Sequence, residues 1–287
     1  MLLFFEQLLN GVQFGMMLFL MAAGLTLVVG IMNLINLAHG ALYMVGAFLA
    51  VTFSLLTGSY LLAVGLAVAC TALIGLAIEF LVLRPLYSRD HLDQVLCTFG
   101  LILFLNELTR FIWGATPLRL DIPAWLDYSV SLAGIDYPGY RLIVILASVA
   151  VAIGLYFLIG HTRIGMLIRA GASDRKMIIG LGVNIALLYS LIFALGAGLA
   201  ALAGILAAPI FTVQVGMGDH ILILTLVVIV IGGIGSVRGS FAAAIVVGVI
   251  DTLGRVMLPS GFGNVIIYLL MAVILFWRPR GLFPSHA

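Results

Sequence analysis

The stretch RIGMLIRAGASDRK, Arg163 to Lys176, places five charged residues, Arg163, Arg169, Asp174, Arg175 and Lys176, within fourteen positions of a chain that is only 8% charged. On either side lie Leu142–Ile159 and Ile185–Ile210. Each is close to the roughly 20 apolar residues that a helix needs to span a hydrocarbon core. A charged island between two such runs requires water or a soluble partner. It reads as a structured loop joining two membrane crossings, and the rest of the chain extends that reading in both directions.

Hydrophobic residues make up 64% of the 287 positions and the mean hydropathy is +1.31, well above the roughly 45–50% apolar usage of a soluble domain. A soluble fold of this size is excluded. The predicted class is all-α, a polytopic membrane helix bundle with eight or nine hydrophobic segments forming one domain over residues 1–287. The segments are Leu8–Ile31, Leu34–Leu56, Leu61–Leu83, Val95–Trp113, Leu142–Ile159, Ile185–Ile210, Ile221–Ile234, Phe241–Leu258 and Val265–Trp277. The seventh, fourteen residues ending in Gly232-Gly233-Ile234-Gly235, is short enough to be broken or re-entrant.

Lys and Arg are absent before Arg84, so the basic start of a secretory signal peptide is missing and the N-terminus is expected to be retained. Cys70 and Cys97 sit in separate apolar runs, which suggests neither a disulfide nor a metal site. The pI of about 8.6 comes without a concentrated basic face, which argues against nucleic-acid binding. The single lysine, Lys176, has no Gly-x-x-x-x-Gly-Lys-Ser/Thr around it, and the five histidines lack metal-ligand spacing. Enzymatic chemistry is therefore not expected, and any ATP must bind another subunit.

If the loop at about 161–184 is cytoplasmic and nine segments cross, that side receives nine basic residues and the other side four, Arg110, Arg119, Arg141 and Arg255. The positive-inside bias then predicts an outer N-terminus and a cytoplasmic C-terminus. The longest outer segment, about 114–140, carries Pro117, Pro123 and Pro138 with Asp121, Asp127 and Asp136, and reads as a water-facing loop flattened into a cap, either a connection lying on the headgroups or a docking surface for an extracytoplasmic partner.

Gly196, Ala200, Gly204 and Ala208 recur every four residues and fall on one helix face, where small side chains permit close helix packing. Asn33, Asn36, His39 and Gly40 interrupt an apolar run, as expected of a helix break beside a translocation path. Glu107 with Arg110 and Asp251 with Arg255 have the spacing of pairs on their own helices. Glu79, five residues before Arg84, is expected to reach the membrane interface. An ion-driven carrier would place a carboxylate near the bilayer midplane, and no compelling candidate exists.

The segment IRAGASDRKMIIGLGVN, Ile168 to Asn184, resembles the coupling loop of branched-chain amino acid ABC transporter permeases, in particular the shorter, LivH-like subunit. The matching features are Arg169-Ala170, Asp174 and Gly182-Val183-Asn184. Asn33 to Gly46, Ala197 to Gly204 and Gly232-Gly233-Ile234-Gly235-Ser236 support the resemblance in the same order along the chain, and Ile178, often Ala in the family, departs from it.

The resemblance implies a heteromeric importer in a bacterial or archaeal cell membrane. Its other parts would be a second homologous permease, two ABC ATPases carrying ATP and Mg, and an extracytoplasmic substrate-binding protein, with no cofactor on this chain. Arg169, Ala170, Asp174, Arg175, Gly180, Gly182 and Asn184 would couple to an ATPase, with Arg169 to Asn184 as a short helix seated in its groove. Branched-chain amino acids are the implied substrates, although similar chains handle urea, short amides or aromatic acids. The alternative is a secondary transporter or channel for a small polar solute, working without ATPases.

Overall fold

A helix in lipid must satisfy its backbone internally, and the first helix does so without interruption for 31 residues. This helix, α1 (Leu2–Met32), is the centre of the molecule, with nearly every side chain from Met16 to Val28 buried. The computed structural model describes residues 2–87, 89–132, 134–173, 175–259, 262–279 and 281–283. Within them follow α2 (His39–Thr57), α3 (Tyr60–Ile78), α4 (His91–Trp113), α5 (Gly139–His161), α6 (Arg163–Ser173), α7 (Arg175–Gly180), α8 (Ile185–Ala207), α9 (Met217–Gly232), α10 (Val237–Met257) and α11 (Phe262–Trp277). The short strands β1 (Ser129–Leu132) and β2 (Ile135–Pro138) pair antiparallel between α4 and α5.

Seven of these helices are long and apolar enough to cross a membrane, and α9 and α11 contribute shorter apolar stretches. The protein is a polytopic all-α membrane bundle, with nine apolar helices among the described residues. Three details differ from the expectation. The second span starts at His39 rather than Leu34, because residues 33–38 are irregular. The third continues past Ile78 through a π turn (Glu79–Leu83) and a 3-10 turn (Arg84–Leu86). The seventh is one unbroken helix of sixteen residues, not a broken one.

Glycine sets the packing distances around α1. An added Cβ at Gly15 would lie 2.6 Å from the Ala244 carbonyl oxygen, and one at Gly11 would lie 2.7 Å from the Cα of Val249. Nearer the other end of α1, Thr26 Oγ1 and Ser240 Oγ are 2.8 Å apart, and Gly30 abuts Gly235. These contacts run α10 antiparallel to α1 along its length. On another side Gly24 meets Gly196 of α8, backbone to backbone.

The bundle has two distinguishable ends. At the hairpin end, Arg141 of α5 bonds Asn10 of α1, and Tyr140 joins the Tyr60 hydroxyl to the Leu206 carbonyl. The segment at 114–140 keeps Asp121, Asp127 and Asp136 exposed and packs apolar residues on the bundle beneath. Leu120, Leu126 and Tyr137 are buried, and Leu118 pairs with Val213. At the α6 end gather the C-terminal ends of α1, α5 and α9 and the beginning of α10. The chain after α11 returns there too, with Leu282 and Phe283 donating to the carbonyls of Ile231 and Gly232.

Candidate functional site

The charged island folds as two helices rather than one. Thr162 Oγ1 accepts the Gly165 N–H at 3.0 Å and donates to the Leu158 carbonyl at 2.6 Å, which turns α6 sharply back on α5. Gly165 permits that turn, since any Cβ there would strike the carbonyls of Leu158 and Ile159. The Arg169 guanidinium donates to the Ile159 carbonyl, one of the acceptors left open at the end of α5. Ile168 and Gly171 face inward, and a Cβ at Gly171 would touch Ile31, Ile178 and Leu188. Ala170 faces outward.

Beyond α7 the chain turns through Gly182 at φ +80°, a left-handed geometry that glycine adopts without a Cβ clash. Val183 donates to the Ile178 carbonyl in the same turn. Asn184 then caps α8, its side chain accepting the Leu187 N–H at 3.1 Å. The expected single helix from Arg169 to Asn184 is thus corrected: Arg169 lies within α6, α7 follows as a separate short helix, Gly182 lies in the turn after it, and Asn184 caps α8. Gly180 closes α7 with open space beside it. Asp174 lies outside the described residues, as does the side chain of Arg175.

The outward face of this segment is apolar despite its arginines. Met166, Met177 and Leu181 are 55%, 66% and 75% exposed, and Ile164 and Ile179 are also exposed, while Ile178 is buried. A helical pair that presents exposed methionine and leucine at one end of a membrane bundle has the character of an interaction surface.

The polar break gathers at a different place. Asn33 holds φ +53°, which ends α1. Asn36 is fully buried, its Oδ1 accepting the Ala38 N–H at 3.1 Å, while its Nδ2 has no protein partner. His39 Nε2 lies 3.2 Å from the Met21 carbonyl, so that nitrogen donates and pins the start of α2 against the middle of α1. Gly40 meets Gly218 at the start of α9. Of this set Asn33 alone lines the groove beside α6, and Asn36, His39 and Gly40 lie deeper, away from the coupling segment.

That groove is a cavity of about 770 Å³ with α1 as floor and α5 and α10 as walls. Its deep end is closed where Phe19 and Phe241 meet edge to face, ring centres 5.0 Å apart. Its mouth holds Arg169, Arg238, Ser173 and Ser236. Arg238 lies over the Tyr156 ring, 5.6 Å from its centre.

The small-residue face of α8 is buried throughout: Gly196 opposes Gly24, Gly204 opposes the backbone of Tyr43, and Ala200 and Ala208 are enclosed. Glu107 and Arg110 pair at 3.3 Å in an exposed position, and Asp251 pairs with Arg255 at 2.9 Å. Glu79 is enclosed by protein near the end of its span. It is buried, with Tyr87 donating to one carboxylate oxygen and Ser190 Oγ to the other at 2.6 Å. Burial first, and then the bond to Glu79, raise the Tyr87 hydroxyl above its ordinary range, so it stays a donor. Sequence reasoning missed this cluster, and the residue types alone carry no signal that would join Glu79 to a serine 111 positions away.

The family described as branched-chain amino acid transport system / permease component matches residues 7–275. The chain belongs to that family. This permease is similar to the high-affinity branched-chain amino acid transport system permease protein BraD of Pseudomonas aeruginosa, 29% identical over 97% of this chain and 95% of that protein. It is also similar to the permease protein LivH of Escherichia coli K12, 27% identical over 98% of this chain and 96% of that protein. Among solved structures, a chain of PsaBC from Streptococcus pneumoniae in complex with Fab shows 12% identity and a TM-score of 0.49 over 93% of this chain and 89% of that one. The permease is a membrane subunit of an ABC transport system and not an enzyme.

Proposed function

We propose that this permease forms half of the membrane passage of an ATP-driven importer for branched-chain or related amino acids. It works with a second permease, two ATPases and an extracytoplasmic binding protein. The observation that carries this reading is the α6–α7 surface. Met166, Met177 and Leu181 point outward from a segment whose other face, Ile168, Gly171 and Ile178, is seated on α1 and α8. An ATPase that grips the outer side therefore moves the two helices on which the bundle is built. Closure of paired ATPases would rock α1 and α8 as packed units, since their glycine contacts leave little room for sliding.

We read the α6 end as the cytoplasmic one. Arg84, Arg89, Arg163, Arg169, Arg238 and Arg278 belong to that end, against Arg110, Arg119, Arg141 and Arg255 at the hairpin end. That asymmetry is the one expected of an inward-facing loop side. It puts the N-terminus outside and the C-terminus inside.

The test is purification from the native membrane in mild detergent, comparing wild type with Leu181→Asp. Wild type should bring two Walker-motif subunits and a second permease. The variant should lose the ATPases while keeping the wild-type unfolding midpoint. A chain recovered alone, in vesicles that accumulate solute without ATP, would overturn the reading in favour of an independent carrier.

A further inference from the structure

The groove between α5 and α10 has a chemistry that the transport cycle described above leaves unused. Its interior is apolar, from Phe19 and Leu27 on α1 to Val149 and Ile153 on α5 and Phe241 on α10. At its mouth stand two guanidinium groups, Arg169 and Arg238, with the hydroxyls of Ser173 and Ser236 beside them. No acidic side chain lines it among the described residues. Cations at one end and hydrocarbon at the other suit an amphipath that carries a negative head.

Length decides which amphipath. The lining on α5 runs from Val149 to Gly160, twelve residues whose ends lie about 16 Å apart at roughly 1.5 Å per step. Half of a hydrocarbon core of roughly 30 Å is about 15 Å, the depth of one lipid leaflet. The groove thus has the length of an acyl chain and its cations have the height of a headgroup. It is also open along its side, because Ile153 and Tyr156 on the α5 wall are 52% and 50% exposed. A chain could enter laterally from the bilayer without crossing the bundle.

The geometry points to a binding site for one anionic phospholipid, its phosphate held by Arg169 and Arg238 and an acyl chain laid along α1 between α5 and α10. Basic pockets between helices on the cytoplasmic side hold such headgroups by this combination of charge and hydrocarbon contact. The occupant would also serve as a strut. It fills the gap between two walls that each touch α1, and it meets Arg169, which is itself bonded to the end of α5.

The experiment is native mass spectrometry of the transporter purified with the subunits that accompany it, first for co-purified lipid and then after delipidation and titration. The probes are phosphatidylglycerol, phosphatidylcholine and inorganic phosphate. Wild type should retain phosphatidylglycerol in preference to phosphatidylcholine, and excess phosphate should not displace it. Arg238→Gln should weaken retention roughly fivefold, in line with about 1 kcal/mol for each basic residue near a headgroup. Ala152→Trp, which fills the groove from a largely lipid-facing helix and keeps both arginines, should abolish it. Arg278→Gln, at the same end but outside the groove, should leave it unchanged.

Equal retention of the two lipids, or unchanged retention in both groove variants, would overturn the proposal. So would displacement by phosphate, which would mark a simple anion site. Cross-linking of Ile153→Cys to the second permease would show that protein, not lipid, covers the groove. None of these outcomes bears on the ATPase partnership, which is read from the subunits recovered.

Discussion

At Glu79 the bundle holds a carboxylate at 0% exposure by giving each oxygen a hydroxyl, one from Tyr87 and one from Ser190. Truncation leaves the half-buried Tyr87 hydroxyl without its acceptor, while Ser190 keeps the Ala186 carbonyl at 3.1 Å, at a cost of about 1–2 kcal/mol. Glu79→Ala should therefore lower the unfolding midpoint of the detergent-solubilised protein by a few degrees, and Ser190→Ala by less. In a regular helix positions eight apart are about 80° out of register at roughly 3.6 residues per turn, so Glu79 and Tyr87 did not look like neighbours. The π and 3-10 turns between them rewind the chain and bring them together, and π turns give no sequence signal of their own. Asn184 shows the opposite case. It was legible as a special residue, yet its visible work is to cap α8. Asn184→Ala should cost about 1 kcal/mol of stability with the ATPases still co-purifying. Loss of the ATPases at full stability would instead make it a contact residue.

At the scale of elements, the four-residue spacing of Gly196, Ala200, Gly204 and Ala208 announced a packing face but not its mates, which are α1 on one flank and α2 on the other. Periodicity reports which side of a helix is small. The identity of the neighbour depends on contacts between residues far apart in the chain. Gly15→Ala puts a Cβ 2.6 Å from the Ala244 carbonyl oxygen and 2.9 Å from the Ile245 Cα, and neither can move without moving α10. It should destabilise by about 1–3 kcal/mol, the usual range for overpacking, and be seen as a lower unfolding midpoint and poorer yield. Gly100→Ala and Gly154→Ala have nothing within 4 Å of the new methyl. They should be neutral or slightly stabilising, which makes them internal controls.

For the whole molecule, hydropathy made the number of apolar segments readable because lipid demands long uninterrupted runs. The hairpin was not readable, since its strands are four residues each and are held by the bundle beneath them. Orientation can be measured directly. With Cys70 and Cys97 replaced, Ala170→Cys should resist a membrane-impermeant maleimide in intact cells and react after permeabilisation, whereas Asp127→Cys should react at once. The reverse pattern would invert the topology.

The central position of α1 also bears on how the protein is made. Its buried Thr26 finds its hydroxyl partner in Ser240, 214 residues later. At about 5–20 residues per second, the ribosome needs roughly 10–40 s to supply that partner. α1 thus enters the bilayer long before it is enclosed, and until α10 arrives its glycine-lined flank faces lipid alone. A chain cut short before α10 would be a membrane-inserted orphan, open to capture by quality-control proteases however well its earlier helices are formed.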